Sequence, residues 1–476
     1  MRYLSTRDPR PVPATRSFED VLLAGLAEDG GLFVPEALPA LDPVAWRGLA
    51  GLPYAELAAR LVGLFAGDDF PPAALRGLSE GAYATFHHKA VAPLVQLDER
   101  LWLLELFHGP TLAFKDLALQ LVSRMIDAAL ARRGEHVTIV GATSGDTGSA
   151  ALEACRDSDA IDVFFLYPQG RISEVQRRQM TTIDTANAHA VAIEGTFDDC
   201  QDIVKALFAD AGLRRSLNLS ALNSINFARI AAQIVYYAAA GLALGAPGRS
   251  LSFTVPTGNF GNVYAGHLAR VLGLPIERLV IGTNANDILF RYLATGQMAM
   301  DAVMPTLSPS MDIQVSSNFE RLLFELKGRS GAAVAAALAA FRRSGALPGD
   351  DQAWQAARGL FSARRVDDTE TLRTIGEVYA TTGLLVDPHT AVGIAAARAA
   401  PAVEELMGEE PMVVLATAHP AKFADAVERA TGVRPPVPPA LAELADRRER
   451  TTVLPNDVNA VARFLNAHAR RTARAA

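Results

Sequence analysis

Short apolar runs alternate with helical segments from about residue 90 onwards. These runs predict strands over 101–106, 136–141, 161–167, 188–193, 251–255, 279–283 and 412–416. Helices are predicted to begin near Phe114, Gly148 and Ser173, after the first three strands. Strands that alternate with helices indicate a mainly parallel sheet with helices on both faces. Ligands in such folds bind beyond the carboxyl ends of the strands, so the loops there are the places to search.

The first 80 or so residues have a different rhythm. Helical patterns occur over 17–27 and 55–64, with turns at 29–31 and 71–72. This region contains no strand, glycine loop and helix in succession. It is therefore not expected to carry the ligand loops.

Composition narrows the class of protein. The 476 residues are 50% hydrophobic and 20% charged, as in a globular protein with a substantial core. The formal charge of −7 argues against a nucleic-acid partner, and the arginines at 470, 471 and 474 are expected to form a solvated tail. Cys155 and Cys200 are too few for a disulfide framework. The sequence has no secretory leader pattern, and its longest nearly apolar stretch, 234–246, is shorter than a membrane helix. A cytoplasmic protein without a membrane partner is therefore expected.

Lysine is scarce in this chain, and one lysine lies in a distinctive place. The lysines are Lys89, Lys115, Lys205, Lys327 and Lys422, while arginine carries most of the positive charge. Lys115 begins a predicted helix, and a neutral lysine amine offers a nucleophile that arginine cannot. Further along, the glycine loop 258–262 follows a predicted strand and precedes a helical segment. An amine for a Schiff base and a backbone cradle for a phosphate together favour pyridoxal phosphate.

Each candidate loop also has a simpler interpretation. The glycine loop alone is more typical of an ordinary turn, and it matches neither a Walker A motif nor a dinucleotide fingerprint; the presence of Lys115 reverses this preference. The loop 141–148 suits a carboxylate or phosphate, but Ser144, Asp146 or Thr147 could simply cap the following helix. The segment 223–229 offers Asn223, Ser224 and Arg229 to a phosphate, or else it begins a surface helix.

The sequence contains no motif for a metal site or for serine hydrolysis. The sequence contains no HExxH and no paired CxxC, so a metal site is not expected. It contains no GxSxG elbow for serine hydrolysis. His108, His389 and His419 lie near prolines in turn-like segments and are expected to be structural hydrogen-bonding residues.

Taken together, the motifs resemble the threonine synthase family, within the fold-type II group of pyridoxal-phosphate enzymes. The N-terminal segments 3–7 and 30–35 are similar to the extra N-terminal domain of its longer branch. The remaining motifs occur in the family's order: FHGPTLAFKD (107–116), ATSGDTGSA (142–150), NSINFARI (223–230), PTGNFGN (256–262), SSNFERLLFEL (316–326), DPHTAVG (387–393) and ATAHPAKF (416–423). The resemblance covers nearly the whole chain.

The resemblance implies roles for individual residues. Lys115 would hold pyridoxal phosphate through a Schiff base, and Thr417 would bind its pyridine nitrogen. The cofactor phosphate would lie on Gly258, Asn259, Phe260, Gly261 and Asn262. Substrate carboxylate and phosphate would bind Ser144, Thr147, Asn223, Ser224 and Arg229. Asp146 would lie near the cofactor 3′-oxygen, where many fold-type II relatives have asparagine; aspartate resembles the longer threonine synthase branch.

The resemblance also implies an architecture and a reaction. The fold would be α/β, like the tryptophan synthase β subunit, with an N-terminal domain over 1–85. A large cofactor-binding domain would comprise 86–129 and 240–476, with a small mobile domain over 130–239. The reaction would convert O-phospho-L-homoserine and water to L-threonine and phosphate, the last step of threonine biosynthesis. The relatives indicate a monomer, with a homodimer as the alternative.

Three alternatives stay open at this point. A serine/threonine dehydratase would share Lys115 and the glycine loop but should lack the Arg229 set and the N-terminal domain. A phospholyase would stop after elimination and release a keto acid and ammonia. A non-catalytic ligand sensor would keep the loops but lose the lysine, which is present here.

Overall fold

The computed structural model describes residues 1–399 and 410–470. Its N-terminal region contains an antiparallel pair, β1 (Tyr3–Ser5) and β2 (Phe33–Pro35). The helices of this region are Phe18–Ala24, Pro43–Arg47, Tyr54–Ala66 and Pro72–Tyr83, with a 3-10 turn at Gly67–Asp69. The first helix begins where Ser17 and Asp20 form a reciprocal capping box. The fully buried Tyr3 donates its hydroxyl to the Phe65 carbonyl at 2.8 Å, which joins strand to helix.

A six-stranded sheet forms the larger layer. Its order is β11 (Phe361–Arg365), β10 (Ile276–Thr283), β9 (Leu251–Pro256), β12 (Met412–Ala416), β4 (Leu101–Glu105) and β3 (Leu94–Gln96). All neighbours are parallel except β3 and β4. The central strands β9 and β12 are buried along their whole length, as expected for a sheet with helices on both faces.

The helices of the larger layer lie between and after the strands of this sheet along the chain. They are Lys115–Arg133, Phe227–Ala243, Gly261–Val271, Ile288–Thr295, Phe319–Leu326, Gly331–Ser344, Asp351–Leu360, Asp368–Thr382, Pro388–Arg398, Ala424–Thr431 and Pro439–Ala442, with 3-10 turns at Pro309–Met311 and Pro420–Phe423.

A second sheet has five strands, all parallel. Its order is β13 (Thr452–Pro455), β7 (Ala188–Glu194), β6 (Ile161–Pro168), β5 (Val137–Ala142) and β8 (Leu219–Ser220). The accompanying helices are Asp146–Cys155, Glu174–Thr181, Phe197–Ala209, Ala211–Leu217 and Val458–His468.

The end of the chain returns to this smaller sheet. The sequence prediction assigns all of 240–476 to the large domain, but β13 pairs with β7, and Val461 and Leu465 of the last helix lie in the apolar cluster beneath the five strands. The predicted solvated tail is also wrong at Arg470, whose Nε donates to the buried Asp162 carboxylate at 2.6 Å. Arg471 and Arg474 lie outside the described residues. The domain boundaries themselves stay a prediction.

The predicted α/β class with mainly parallel sheets is confirmed. Every predicted strand is present to within one residue at either end, except that β10 begins at Ile276 rather than at 279. The strands that were not predicted, β1, β2, β3, β8, β11 and β13, are short, and β11 is largely polar. Within the described part of the chain, no helix is both long and apolar enough to cross a membrane.

Candidate active site

The loop that leads into Lys115 runs beside the loop that contains Thr417. Strands β4 and β12 are parallel neighbours, so the segments that follow them leave the same edge of the sheet. The Leu106 N–H donates to the Ala416 carbonyl at 2.9 Å, and the Phe114 N–H donates to the Thr417 carbonyl at 2.9 Å. The two sequence-predicted residues Lys115 and Thr417 therefore lie side by side beyond the carboxyl ends of the central strands.

The Lys115 amine is largely removed from solvent. Its side chain is 12% exposed, and its Nζ lies 3.6 Å from Asp146 Oδ2, beyond hydrogen-bond distance. Burial lowers the pKa of Lys115; the positive charges of Lys422 and Arg229 lower it further, whereas Asp146 raises it. A lysine with a lowered pKa has a larger fraction of neutral amine, which is the form that acts as nucleophile or base.

Asp146 is a buried carboxylate with several partners. Its side chain is 4% exposed, and Oδ1 lies 2.8 Å from Lys422 Nζ. Oδ1 also accepts from Gln176 Nε2 at 3.0 Å, and Oδ2 accepts from the Ser310 hydroxyl at 3.2 Å. Burial alone would raise the pKa of Asp146, but the charges of Lys422 and Lys115 hold it well below its usual value. The carboxylate is therefore a fixed negative charge beside Lys115.

The loop between β5 and the following helix is capped by a residue that the sequence prediction did not name. The Thr143 hydroxyl accepts from the N–H groups of Gly145 and Gly148, both at 2.9 Å. The alternative in which Ser144, Asp146 or Thr147 caps this helix is therefore wrong. Ser144 is exposed and Thr147 half-buried, and neither side chain has a hydrogen-bond partner in the described part of the chain.

The residue of the glycine loop with left-handed backbone conformation is not a glycine. The positive φ of 65° belongs to Phe260, whereas neither Gly258 nor Gly261 has a positive φ. These glycines are required for space. A Cβ at Gly258 would lie 3.1 Å from Met311 Cα, and a Cβ at Gly261 would lie 3.1 Å from the Asn318 amide nitrogen. The buried Phe260 ring packs edge-on against Phe319 and Phe361, which holds the left-handed backbone in place.

The carbonyl groups of this loop accept hydrogen bonds, whereas several of its N–H groups have no acceptor among the described residues. The Gly258 carbonyl accepts from the Ser316 hydroxyl at 2.7 Å, and the Asn259 carbonyl accepts from Asn318. In residues 1–399 and 410–470, no acceptor is present for the N–H groups of Gly258, Asn259 and Phe260. The helix Gly261–Val271 adds the free N–H groups of its first turn, including that of Asn262. Free amides at a helix start form an anion site.

Two further buried side chains have donors without partners among the described residues. Arg229 is 3% exposed, yet its Nε and Nη1 have no hydrogen-bond partner within the described residues. Desolvation lowers the pKa of Arg229 to about 10, and Arg229 lies near enough to Lys115 to lower its pKa. Asn262 accepts from the hydroxyls of Tyr236 and Tyr237, and its buried Nδ2 has no partner in the described part of the chain. Buried donors without acceptors are costly in a folded protein unless a ligand satisfies them.

The segment that carries Arg229 is not a surface helix. Asn226 caps the helix Phe227–Ala243 and also donates to the Leu22 carbonyl of the N-terminal region at 2.9 Å. The Asn223 side chain accepts from the Ile225 N–H at 3.2 Å, and the Ser224 carbonyl accepts from the Asn318 amide at 3.2 Å. The surface-helix alternative is therefore wrong, because this segment is buried and joined to the glycine loop through Asn318.

Several residues of the site were missed or left without a role by the sequence analysis. The chief ones are Lys422, Gln176, Ser310 and His389. His389 lies 2.8 Å from Asp387 through Nδ1, and its Nε2 accepts from the Ser310 N–H at 3.2 Å. The hydroxyl of Ser310 then reaches Asp146. The signals were present, because Lys422 and His389 lie in the motifs at 416–423 and 387–393, but nothing in the sequence brings these motifs to Asp146.

The expected structural role of the three histidines agrees with their contacts. His108 lies 2.7 Å from Glu105, His389 is bonded as described, and the His419 ring accepts from the Ala421 N–H at 3.1 Å. None of the three contacts Lys115.

The arrangement fits a molecule with an aldehyde and a phosphate. A nucleophilic amine, a hydroxyl residue and a buried anion site follow β4, β12 and β9, which are parallel neighbours, so they leave the same edge of the sheet. Within the described residues, the unpartnered donors of Asn262 and the loop amides match the acceptors of a phosphate. The residues present therefore fit pyridoxal phosphate.

Three protein-family models together match most of the chain. Residues 2–83 match the model "Threonine synthase N terminus", and residues 85–349 match "Pyridoxal-phosphate dependent enzyme". Residues 390–465 match "Threonine synthase, C-terminal". The two ends of the chain thus match threonine synthase models, and the middle matches a general model of pyridoxal-phosphate enzymes.

Individual relatives are similar over the full length. A threonine synthase from Pseudomonas aeruginosa is 55% identical over 99% of both chains. The crystal structure of a pyridoxal-phosphate-bound threonine synthase from Brucella melitensis has a TM-score of 0.94 at 51% identity, covering 99% of this chain and 100% of that one. The yeast threonine synthase structure has a TM-score of 0.93 at 39% identity, covering 98% of each chain. From this extent of similarity and the matched family models, the chain belongs to the threonine synthase family of pyridoxal-phosphate-dependent enzymes.

Proposed function

We propose that this protein converts O-phospho-L-homoserine and water to L-threonine and phosphate. One observation carries the proposal: the buried amine of Lys115 lies near Arg229, a buried arginine whose Nε and Nη1 have no hydrogen-bond partner within the described residues. The full-length similarity to threonine synthases supports this activity over that of a dehydratase. The chain also has the N-terminal domain and the Arg229 set that a dehydratase should lack.

The cofactor would be held by residues of both loops and the central sheet. Lys115 would bind its aldehyde, and Thr417 its ring nitrogen. Asp146 would lie near its 3′-oxygen. Its phosphate would lie on the loop amides from Gly258 to Asn262. When bound, pyridoxal phosphate withdraws electrons from the substrate and so acidifies the hydrogen on Cα.

Lys115 would be the acid and base of the reaction. Once the substrate amine has displaced it, the lysine amine is free to remove the proton from Cα and afterwards one from Cβ. Its lowered pKa favours the neutral form that this task requires. Departure of phosphate from Cγ, return of a proton to Cγ, addition of the hydroxyl of water at Cβ and return of a proton to Cα complete the conversion.

The Thr417 hydroxyl would direct the type of reaction. A carboxylate at this position would favour a protonated ring nitrogen, whereas a hydroxyl does not. A less strongly electron-withdrawing ring suits elimination and replacement more than transamination. Thr417 is buried, and its carbonyl is fixed by the Phe114 N–H.

Substrate binding would use the two loops that face Lys115. We assign Ser144, Thr147, Asn223, Ser224 and Arg229 to the substrate carboxylate and phosphate. The small domain would move and close on the substrate, because water must be excluded until elimination is complete. A cytoplasmic location and a monomeric state, with a homodimer as alternative, complete the proposal.

Product analysis tests the proposal. The purified protein, loaded with pyridoxal phosphate, is incubated separately with O-phospho-L-homoserine and with L-threonine. We expect threonine from the first and no 2-oxobutyrate from the second. Phosphate with 2-oxobutyrate and ammonia from phosphohomoserine would instead identify a phospholyase. Rapid 2-oxobutyrate formation from threonine would identify a dehydratase.

A further inference from the structure

A second buried lysine, Lys422, shares the neighbour Asp146 with Lys115. Lys422 lies on the 3-10 turn Pro420–Phe423, shortly after Thr417, and its side chain is 0% exposed. Its Nζ lies 2.8 Å from Asp146 Oδ1 and donates to the Thr111 carbonyl at 2.8 Å. A buried ammonium group is costly unless it is paired and hydrogen-bonded, and both of these contacts are with residues of the catalytic loops.

The Asp146 carboxylate therefore lies close to two lysine amines, but at different distances. Lys422 takes one carboxylate oxygen at 2.8 Å, whereas Lys115 lies 3.6 Å from the other. Without Lys422, Lys115 would be the only lysine beside this carboxylate in the described structure. A direct ion pair would then hold Lys115 as an ammonium ion, which is neither a nucleophile nor a base.

The contact with Thr111 has a second consequence. The Thr111 carbonyl accepts from both Lys422 and Gln179 Nε2, the latter at 2.9 Å. Thr111 lies in the loop that leads into Lys115, and its N–H and hydroxyl bond to Asp116 at 2.8 and 2.7 Å. Lys422 thus fixes both the carboxylate beside Lys115 and the loop that presents Lys115.

We propose that Lys422 is a positioning residue for Lys115: it anchors the Asp146 carboxylate and balances its charge, so that Asp146 does not draw Lys115 into an ion pair. This inference rests on the proposed role of Lys115 in holding pyridoxal phosphate. It adds a function for Lys422 through a neighbouring residue, without contact with the substrate.

The electrostatics of the cleft agree with this role. The charged groups that act on Lys115 are Asp146, Lys422 and Arg229, which come from three different elements. Burial lowers the pKa of Lys115, Asp146 raises it, and Lys422 opposes the effect of Asp146. Removal of Lys422 should therefore favour the protonated form of the nitrogen at Lys115, and removal of the Asp146 charge should do the reverse.

A pH titration of the full-length enzyme loaded with pyridoxal phosphate, without substrate, tests the inference. The visible absorbance of the bound cofactor reports protonation of the nitrogen that joins it to Lys115. In Lys422→Met we expect the midpoint to rise by about 1 pH unit, and in Asp146→Asn to fall by about the same amount. Lys422→Arg keeps the charge and should remain near wild type. Lys205→Met removes an exposed lysine paired with Asp202 and should change nothing.

Several outcomes would overturn the inference. An unchanged midpoint in folded Lys422→Met, or a shift of Asp146→Asn in the same direction as Lys422→Met, contradicts it. If Lys422→Met does not fold, the double variant Asp146→Asn/Lys422→Met removes both charges together. Its midpoint should then lie nearer to wild type than that of Asp146→Asn, and an equal or larger shift contradicts the inference. Absence of visible absorbance in the wild type would overturn the cofactor assignment as well, whereas normal absorbance with unmoved midpoints overturns only the role of Lys422.

Discussion

The side-chain amide of Asn318 donates to the backbone carbonyl of Asn259 at 3.1 Å, and the Asn318 N–H donates to the same oxygen at 3.1 Å. The glycine loop is thus fixed by the helix Phe319–Leu326, which is far from it in sequence. Asn318 in turn accepts from Arg321, whose Nε donates to the Phe33 carbonyl at 3.0 Å. A chain of buried hydrogen bonds therefore connects β2 of the N-terminal region with the proposed phosphate site.

Asn318→Ala should weaken cofactor binding. Loss of its side-chain amide leaves the Asn259 carbonyl with only the backbone N–H of residue 318 as donor and loosens the loop, which should raise the Kd for pyridoxal phosphate about tenfold. Fluorescence titration of the cofactor-free protein measures this change. Arg329→Met is a matched control, because Arg329 also binds the N-terminal region, donating to the Pro35 carbonyl at 2.6 Å, without contact to the loop. Equal weakening in both variants would contradict the link through Asn318.

Arg229→Met should separate function from stability. Since two of its buried nitrogens lack partners, its loss should stabilise the cofactor-free protein by about 1 kcal/mol or more. The same change should lower kcat/KM for phosphohomoserine about 10- to 100-fold, because a charge-assisted contact with phosphate is lost. Thermal unfolding and steady-state kinetics measure the two effects.

Arg321→Met is the variant to compare with Arg229→Met. Arg321 is also fully buried, but it donates to Phe33, Asn318 and Ile225. Its loss should destabilise the protein by about 3 kcal/mol, since these acceptors lose their donor. A stabilising effect of Arg321→Met, or a destabilising effect of Arg229→Met, would contradict this distinction between the two arginines.

Asp116 should make stability depend on pH. Burial raises the pKa of its carboxyl to about 6, despite the hydrogen bonds from Thr111 that lower it. The folded protein therefore keeps a proton that the unfolded chain releases near pH 4. The stability from this group is fully present below pH 4 and is lost as the pH rises through about 6, by about 2–3 kcal/mol in total.

Asp116→Asn should abolish this part of the pH dependence. Denaturant unfolding at pH 4, 5, 6 and 7 gives the free energy of unfolding for wild type and variant. The difference between them should change over this range, and Asp202→Asn, at an exposed site, should run parallel to wild type. A constant difference for Asp116→Asn would show that Asp116 has an ordinary pKa.

The fold was largely predictable because its central strands are apolar runs. Strands such as β6 and β9 are buried along their whole length and so stand out in the sequence. Strand β13 could not be found in this way, because its residues alternate between half-buried and exposed at the edge of the sheet. Its pairing with β7 depends on the path of the whole chain.

The candidate site could be predicted where one sequence motif contains the reactive or ligand-binding residues. Lys115 and the glycine loop could be recognised locally, although the left-handed residue proved to be Phe260 rather than a glycine. Lys422 and Asp146 could not be connected, because their contact is made only when β12 and the loop after β5 meet. Arg229 was expected to bind a phosphate, but its lack of internal partners is a property of the fold alone.

Lys115 carries the central claim, and one paired assay tests it. Wild type and Lys115→Ala are supplied with pyridoxal phosphate and O-phospho-L-homoserine, and released phosphate and threonine are quantified together, with Lys327→Ala as a control. We expect the wild type and the control to release the two products in equal amounts, and the folded Lys115→Ala protein to release neither. Undiminished turnover by Lys115→Ala, or phosphate release by the wild type without threonine, would contradict the account.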